Sequence, residues 1–104
     1  MTKSGKRHQR PPDDVALAES TLQKEFPNAT VRRTNSLMVR VRIIDQRFRG
    51  LSKVARHELV EPLLDELPSE LQEAIYFVLL LSPEEVKTST KNDEFENPKP
   101  SLIA

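Results

Sequence analysis

The stretch that most constrains this chain is Ala74-Ile75-Tyr76-Phe77-Val78-Leu79-Leu80-Leu81, an unbroken apolar run closed by Ser82-Pro83. A membrane-spanning helix needs about 20 such residues, so this run is far too short to cross a bilayer. Its β-branched and aromatic content, with turn chemistry beside it, predicts a strand over residues 74–81. Successive side chains of a strand point to opposite faces, and here both faces are apolar. Tyr76, Val78 and Leu80 are therefore expected either to lie under another element or to form an apolar patch beside the arginines of the preceding strands. The chain has 104 residues. That length fits one domain, with a core confined to residues 12–86.

The remaining elements follow from spacing and punctuation. Pro11-Pro12-Asp13-Asp14 is a helix start, with fixed proline φ and carboxylates at the positive end of the helix dipole. A helix is predicted over residues 12–25, with Val15, Ala18, Leu22 and Phe26 as its buried stripe, ended by Pro27-Asn28. Residues 30–34 and 37–44 alternate with the period of strands around Asn35-Ser36, predicting a hairpin. Val31, Val39, Val41 and Ile43 would face the core and send Arg32, Arg40 and Arg42 to the other side of the sheet. After a turn at Gly50, Ser52 caps a second helix over residues 52–67, with Ala55, Leu59, Val60, Leu63, Leu64 and Leu67 on one side. Pro62 falls on its outer side. Pro68-Ser69 starts one further turn, and Ser82-Pro83-Glu84-Glu85 opens a short terminal helix.

Formal charge is zero over the whole chain but unevenly placed. From Val31 to Arg56, eight basic residues (Arg32, Arg33, Arg40, Arg42, Arg47, Arg49, Lys53, Arg56) stand against Asp45, a net of +7. From His57 to Val86, eight acidic residues stand against no Lys or Arg, a net of −8. Most of the second run is the solvated face of a helix. The first places clustered guanidiniums on an open sheet face, which suits DNA or RNA phosphates and equally an acidic protein surface. There is no cysteine, which excludes disulfides and thiolate ligands from this chain and is compatible with a reducing compartment. No glycine-rich phosphate loop, nucleophile motif or paired carboxylates suggest catalysis, so the chain is not expected to be an enzyme. No secretory or membrane segment is legible, and the sequon at Asn28 lacks secretory context. A cytoplasmic location is expected, with an organelle such as a plastid or mitochondrion left open by the basic residues 1–10. Residues 1–11 are expected to be a flexible basic arm. From Lys87 onward polar residues dominate, so residues 87–104 are expected to be a disordered tail.

One string goes further. Phe48-Arg49-Gly50-Leu51-Ser52-Lys53-Val54-Ala55-Arg56-His57-Glu58-Leu59-Val60 resembles the hallmark of the BolA family, in which Phe-x-Gly leads to an Arg-His pair entering a helix and then Leu-Val. Phe26-Pro27-Asn28-Ala29-Thr30-Val31 is similar to the family's first helix-to-strand junction, and Leu80-Leu81-Ser82-Pro83-Glu84-Glu85 to its ending. The resemblance covers residues 13–86 and implies an α+β domain of order αββαβ(α). Its three-stranded sheet would carry helices on one face, as in a type II KH domain.

It also implies two roles. One is partnership with a monothiol glutaredoxin in iron–sulfur homeostasis, where the helix histidine, here His57, is a metal or cluster ligand. The other is DNA binding as a transcription regulator. In the first role a second histidine or cysteine comes from the loop between the first two strands. Here that loop reads Thr34-Asn35-Ser36 and holds neither. Hydroxyl and amide are poor ligands for iron. The chain alone is therefore expected to bind no metal, though a cluster shared with a partner is compatible with it. A plainer reading of His57 is a half-exposed side chain paired with Glu61 one turn on. The Gly-x-x-Gly loop by which KH domains clamp RNA is missing. The leading expectation is a non-enzymatic adaptor, and the alternative is a nucleic-acid-binding regulator. In either case Arg32, Arg40, Arg42, Arg47, Arg49, Gly50, Lys53 and Arg56 form the contact surface. Changing Arg40 and Arg42 to Ser is expected to cost little stability.

Overall fold

The computed structural model describes residues 11–98, so the expectations for the arm at 1–10 and for the tail at 99–104 lie outside the described residues. The chain runs α1 (Pro11–Gln23), β1 (Ala29–Asn35), β2 (Met38–Ile44), a 3-10 turn (Gln46–Phe48) and α2 (Lys53–Leu64). It continues through α3 (Ser69–Ala74), β3 (Ile75–Leu81), a second 3-10 turn (Pro83–Glu85) and α4 (Thr90–Glu96). The sheet has the order β1-β2-β3, with β1 and β2 antiparallel and β2 and β3 parallel. A parallel pair needs a long crossover rather than a hairpin, and α2 with α3 supplies it. This is the α+β architecture expected from the sequence.

The inner sheet face is aliphatic. Val31, Val39, Val41, Ile43 and Leu80 pack on Ala18 and Leu22 of α1, Val60 of α2 and Leu71 of α3, with Phe26 and Phe48 in the same cluster. Phe48 is fully buried and stacks on Phe26 at 5.7 Å between ring centroids. Ser52 caps α2 by accepting the Ala55 N–H, and Pro62 lies inside that helix on its exposed side. The apolar stripe of α2 is narrower than its wheel suggests. Val60 is buried and Leu63 and Leu64 pack on the core, but Leu59 is exposed at its flank.

The hairpin turns one residue later than expected. Asn35 pairs with Met38, leaving Ser36 and Leu37 as the loop, because the Asn35 side chain accepts the Leu37 N–H at 2.8 Å and holds Asn35 inside the ladder. A second irregularity reassigns β3. Ile75 is opposite Val39 while Phe77 is opposite Arg40, so Tyr76 is an extra residue, a bulge. Val78 and Leu80 therefore face inward, and the residues beside the arginines are Phe77, Leu79 and Leu81 rather than Tyr76, Val78 and Leu80.

The largest departure concerns the tail and the outer face. Residues 87–98 were expected to be disordered and the sheet to carry helices on one face only. Instead α4 lies on the opposite face, with Phe95 fully buried against Leu79 and Leu81 and with Phe77 packed beside them. Ser89 caps α4 by accepting the Asn92 N–H at 3.0 Å. The cause is a match of chemistry. Phe95 stands over the guanidiniums of Arg32, Arg40 and Arg42 at 5.9, 5.2 and 4.6 Å from its ring centroid. A helix of seven residues is marginal alone and exists here because this face holds it.

Candidate docking cleft beside the third strand

The route into the cleft is set by a chain of local constraints. Asp45 caps the first 3-10 turn by accepting the Arg47 N–H, and buried Phe48 pins that turn to the core. Gly50 then takes a φ of 77°, the left-handed region that favours glycine, and a Cβ there would meet nothing within 4 Å. Its requirement is therefore conformational rather than spatial. Ser52 follows as the α2 cap, so the first turns of α2 bring Lys53, Arg56 and His57 alongside β3.

There they line a cleft of about 630 Å³ together with residues 77–81 of β3, Glu85, and Thr88, Ser89 and Lys91 at the entry to α4. His57 is exposed and also borders a neighbouring groove of about 560 Å³ that carries Glu58 and Glu61. Neither His57 nor Lys53 has a carboxylate partner among the described residues.

Arg56 is the fastener of this region. Its guanidinium donates to the Leu51 carbonyl at 3.0 Å and the Leu80 carbonyl at 2.8 Å, and grips both Glu85 oxygens at 2.8 and 2.9 Å. Glu85 also accepts the Ser82 N–H at 2.9 Å. These contacts, Arg56 first and the Ser82 amide second, bring the Glu85 carboxyl down to about 2 against the cost of burial. Arg56 is correspondingly raised by Glu85. It serves the architecture of the cleft rather than offering a free charge.

The arginines expected to form an open recognition face are also committed internally. Arg40 is buried and donates to the Phe95 carbonyl at 2.8 Å, the Arg33 carbonyl at 2.9 Å and Thr34 Oγ1 at 3.1 Å. Arg42 donates to Asn92 at 2.8 Å and pairs with Glu96, which Arg32 also reaches at 3.5 Å. Glu96 is held below the usual carboxylate range, chiefly by its hydrogen bond from Arg42. Arg47 pairs with Asp45 and Glu25 at 3.0 Å each and lies 4.3 Å over the Phe26 ring. Arg49 pairs with Glu84. Arg40 and Arg42 do point away from the core helices, but α4 covers them. Replacing both with Ser would remove packing and leave buried carbonyls without donors, so the small cost expected from the sequence is corrected upward. Of the residues proposed from sequence, the structure gathers Lys53, Arg56 and His57 in one cleft. Arg40 and Arg42 lie under α4 instead, and Arg32 stays exposed at its edge, in reach of Glu96. Lys91 and the β3 edge were not anticipated. The lone Phe95 amid Asp93, Glu94 and Glu96 was the available signal for α4, as the acidic and aromatic complement of an arginine face.

A cluster held by this chain alone does not fit these residues. His57 is the single imidazole among the described residues, which hold no group of three or more His, Cys, Asp or Glu placed to bind a metal ion. A one-ligand share, with the other donors on a partner, fits an exposed imidazole at a cleft.

No protein-family model matches the sequence, and no curated protein matches it. Solved structures do. BolA1 from Arabidopsis thaliana is 25% identical, with a TM-score of 0.56 over 69% of this chain and 94% of that chain. The chain has the fold of the BolA proteins. The solution structure of BolA1 from Mus musculus, 20% identical, shares the fold with a TM-score of 0.52 over 97% of this chain and 82% of that chain. In this chain Phe48, Gly50 and Arg56 are the structural members of the Phe48-to-Val60 segment: a buried ring, a left-handed turn and a fastening guanidinium. Among the described residues no helix is long and apolar enough to cross a membrane.

Proposed function

We propose that this BolA-like chain is a non-catalytic adaptor that docks a partner protein at the cleft beside β3. The partner class that the family resemblance implies is a monothiol glutaredoxin. His57 is then this chain's one ligand to a shared iron–sulfur cluster, in place of the two-ligand arrangement. The observation that carries this reading is the contrast in commitment. The arginines are spent on internal carboxylates and carbonyls, while His57 and Lys53 stand at an open cleft without a carboxylate partner among the described residues. Non-catalysis is supported by the cleft's two serines. Ser52 and Ser89 accept helix N–H groups as caps, so neither is poised as a nucleophile.

Protein docking is favoured over nucleic acid because the sheet face that would meet phosphates lies under α4. The test is titration with a monothiol glutaredoxin, loaded and unloaded, followed by calorimetry and visible absorption. A coloured complex is expected, together with loss of the colour in His57→Ala at unchanged thermal stability, since exposed substitutions usually shift stability by under about 0.5 kcal/mol. DNA binding that weakens steeply with salt, without a glutaredoxin complex, would overturn this reading in favour of a nucleic-acid regulator.

A further inference from the structure

The sheet has two edges, and they are treated differently. On β1, side chains of α1 occupy the outward backbone groups. The Val31 N–H donates to Glu19 at 3.1 Å, and the Ala29 carbonyl accepts from Gln23 at 3.1 Å. Such covering is a usual way to protect an edge. On β3 the covering is partial. The Leu81 carbonyl points toward β2, where it accepts the Asp45 N–H at 2.9 Å. The Leu80 carbonyl points the other way, to Arg56. In a strand the N–H and C=O of one residue lie on the same side and alternate with their neighbours. Val78 and Leu80 therefore direct their backbone groups outward, into the cleft that residues 77–81 line. Arg56 takes the Leu80 carbonyl and Glu85 takes the Ser82 N–H. The Val78 N–H, the Val78 C=O and the Leu80 N–H are left without a partner among the described residues.

We infer that this open window of β3 binds an extended acidic peptide segment of a partner protein by strand addition. It is long enough for a residue of an added strand to exchange two backbone hydrogen bonds with Val78 and Leu80. The walls decide the side-chain chemistry. The cleft lining sets Lys53 and Arg56 from α2 and Lys91 from α4 against Glu85 alone, and because Arg56 is bound to Glu85 the cations in excess are Lys53 and Lys91. Glu85 is already neutralised by Arg56, and Lys91 has only an exposed, 3.4 Å contact with Glu94. Backbone pairing supplies affinity and the cationic walls select alternating acidic side chains. The inference deepens the docking reading and rests on it, since it specifies how a partner would engage the same cleft.

The test uses the full-length, isotope-labelled protein and a capped Val-Glu-Val-Glu-Val peptide as probe, with amide hydrogen exchange read residue by residue. At a peptide concentration about ten times Kd, exchange at Val78 and Leu80 should slow about elevenfold, because only the free fraction exchanges. The same peptide with N-methylated backbone should give no protection. The double variant Lys53→Glu with Lys91→Glu should weaken the acidic probe and favour a Val-Lys-Val-Lys-Val peptide. Unchanged exchange at both amides, or equal binding of the N-methylated peptide, would overturn strand addition. Protection of the same amides by a short single-stranded DNA but not by the peptide would overturn it too. If glutaredoxin still bound in that case, the adaptor reading would stand without this mode. If the peptide bound and glutaredoxin did not, the edge would stand and the named partner would fall.

Discussion

The two faces of the sheet are held by different physics. On the inner face, aliphatic side chains from α1, α2, α3 and all three strands meet with little or no exposure, and stabilisation scales with area removed from water. On the outer face one phenylalanine, three guanidiniums and a carboxylate do the work, over a thinner apolar floor of Phe77, Leu79 and Leu81. An aliphatic face needs a broad apolar partner. A guanidinium face can instead be closed by seven mostly polar residues, provided one aromatic ring and one carboxylate arrive in register.

The sharpest way to break this comparison is to damage the inner face. Phe48→Ala removes a fully buried ring stacked on Phe26 and should cost about 3–5 kcal/mol, a large part of a domain's stability. The urea midpoint should fall steeply and both faces should unfold together. A loss below about 1 kcal/mol would mean that the site refills and that the inner face is not the keystone.

Phe95→Ala attacks the outer face and should cost less, about 1–2 kcal/mol, because detaching α4 returns conformational entropy that partly offsets the lost burial and cation–π contacts. Hydrogen exchange should rise in α4 while β2 stays protected. A cost equal to that of Phe48→Ala would show that the two faces form one cooperative core.

How far the sequence discloses each face follows from the same difference. Val39, Val41 and Ile43 alternate with Arg40 and Arg42, so the inner face can be read from period alone, as can the caps at Ser52 and Ser82 and the BolA-like Phe48-to-Val60 string. The outer face has no period. Its lid depends on one aromatic residue in a polar tail, and ordinary hydropathy scores that tail as unable to bury anything. The bulge at Tyr76 is invisible for another reason. Nothing in eight consecutive apolar residues marks which one is extra, so alternation alone does not tell which of Phe77, Val78, Leu79 and Leu80 lie beside the arginines. At the cleft, Lys53, Arg56 and His57 are legible from the helix they share. The open edge of β3 is not, because it depends on which backbone groups happen to receive side-chain partners.

The smallest expected effect is also the most selective, since acid should loosen α4 and the Arg56–Glu85 tie beside β3 while the aliphatic cluster itself holds no titrating group. Glu96 binds Arg42 across the α4 interface and has its pKa lowered mainly by that bond. Glu85 binds Arg56 and is lowered from 4.5 to about 2. A carboxyl whose folded pKa lies below its unfolded one contributes stability that is complete above the unfolded value and is lost as pH falls through the folded value. Both contributions should therefore be intact at neutral pH, decline below about 4.5 and, for Glu85, vanish near 2. Each carboxylate is more than a third exposed, so solvent screening keeps these contributions small. The inner cluster contains no titratable side chain, and nothing there responds over this range. In a pH titration followed by NMR, the Phe95 ring signals should shift toward random-coil positions before those of Phe48, and Glu85→Gln should flatten the acid limb of the stability curve. High salt at neutral pH should reproduce part of the Phe95 shift by screening the same pairs. Simultaneous release of both rings would mean that Phe95 burial, not the Glu96 carboxylate, fastens α4 to the arginines.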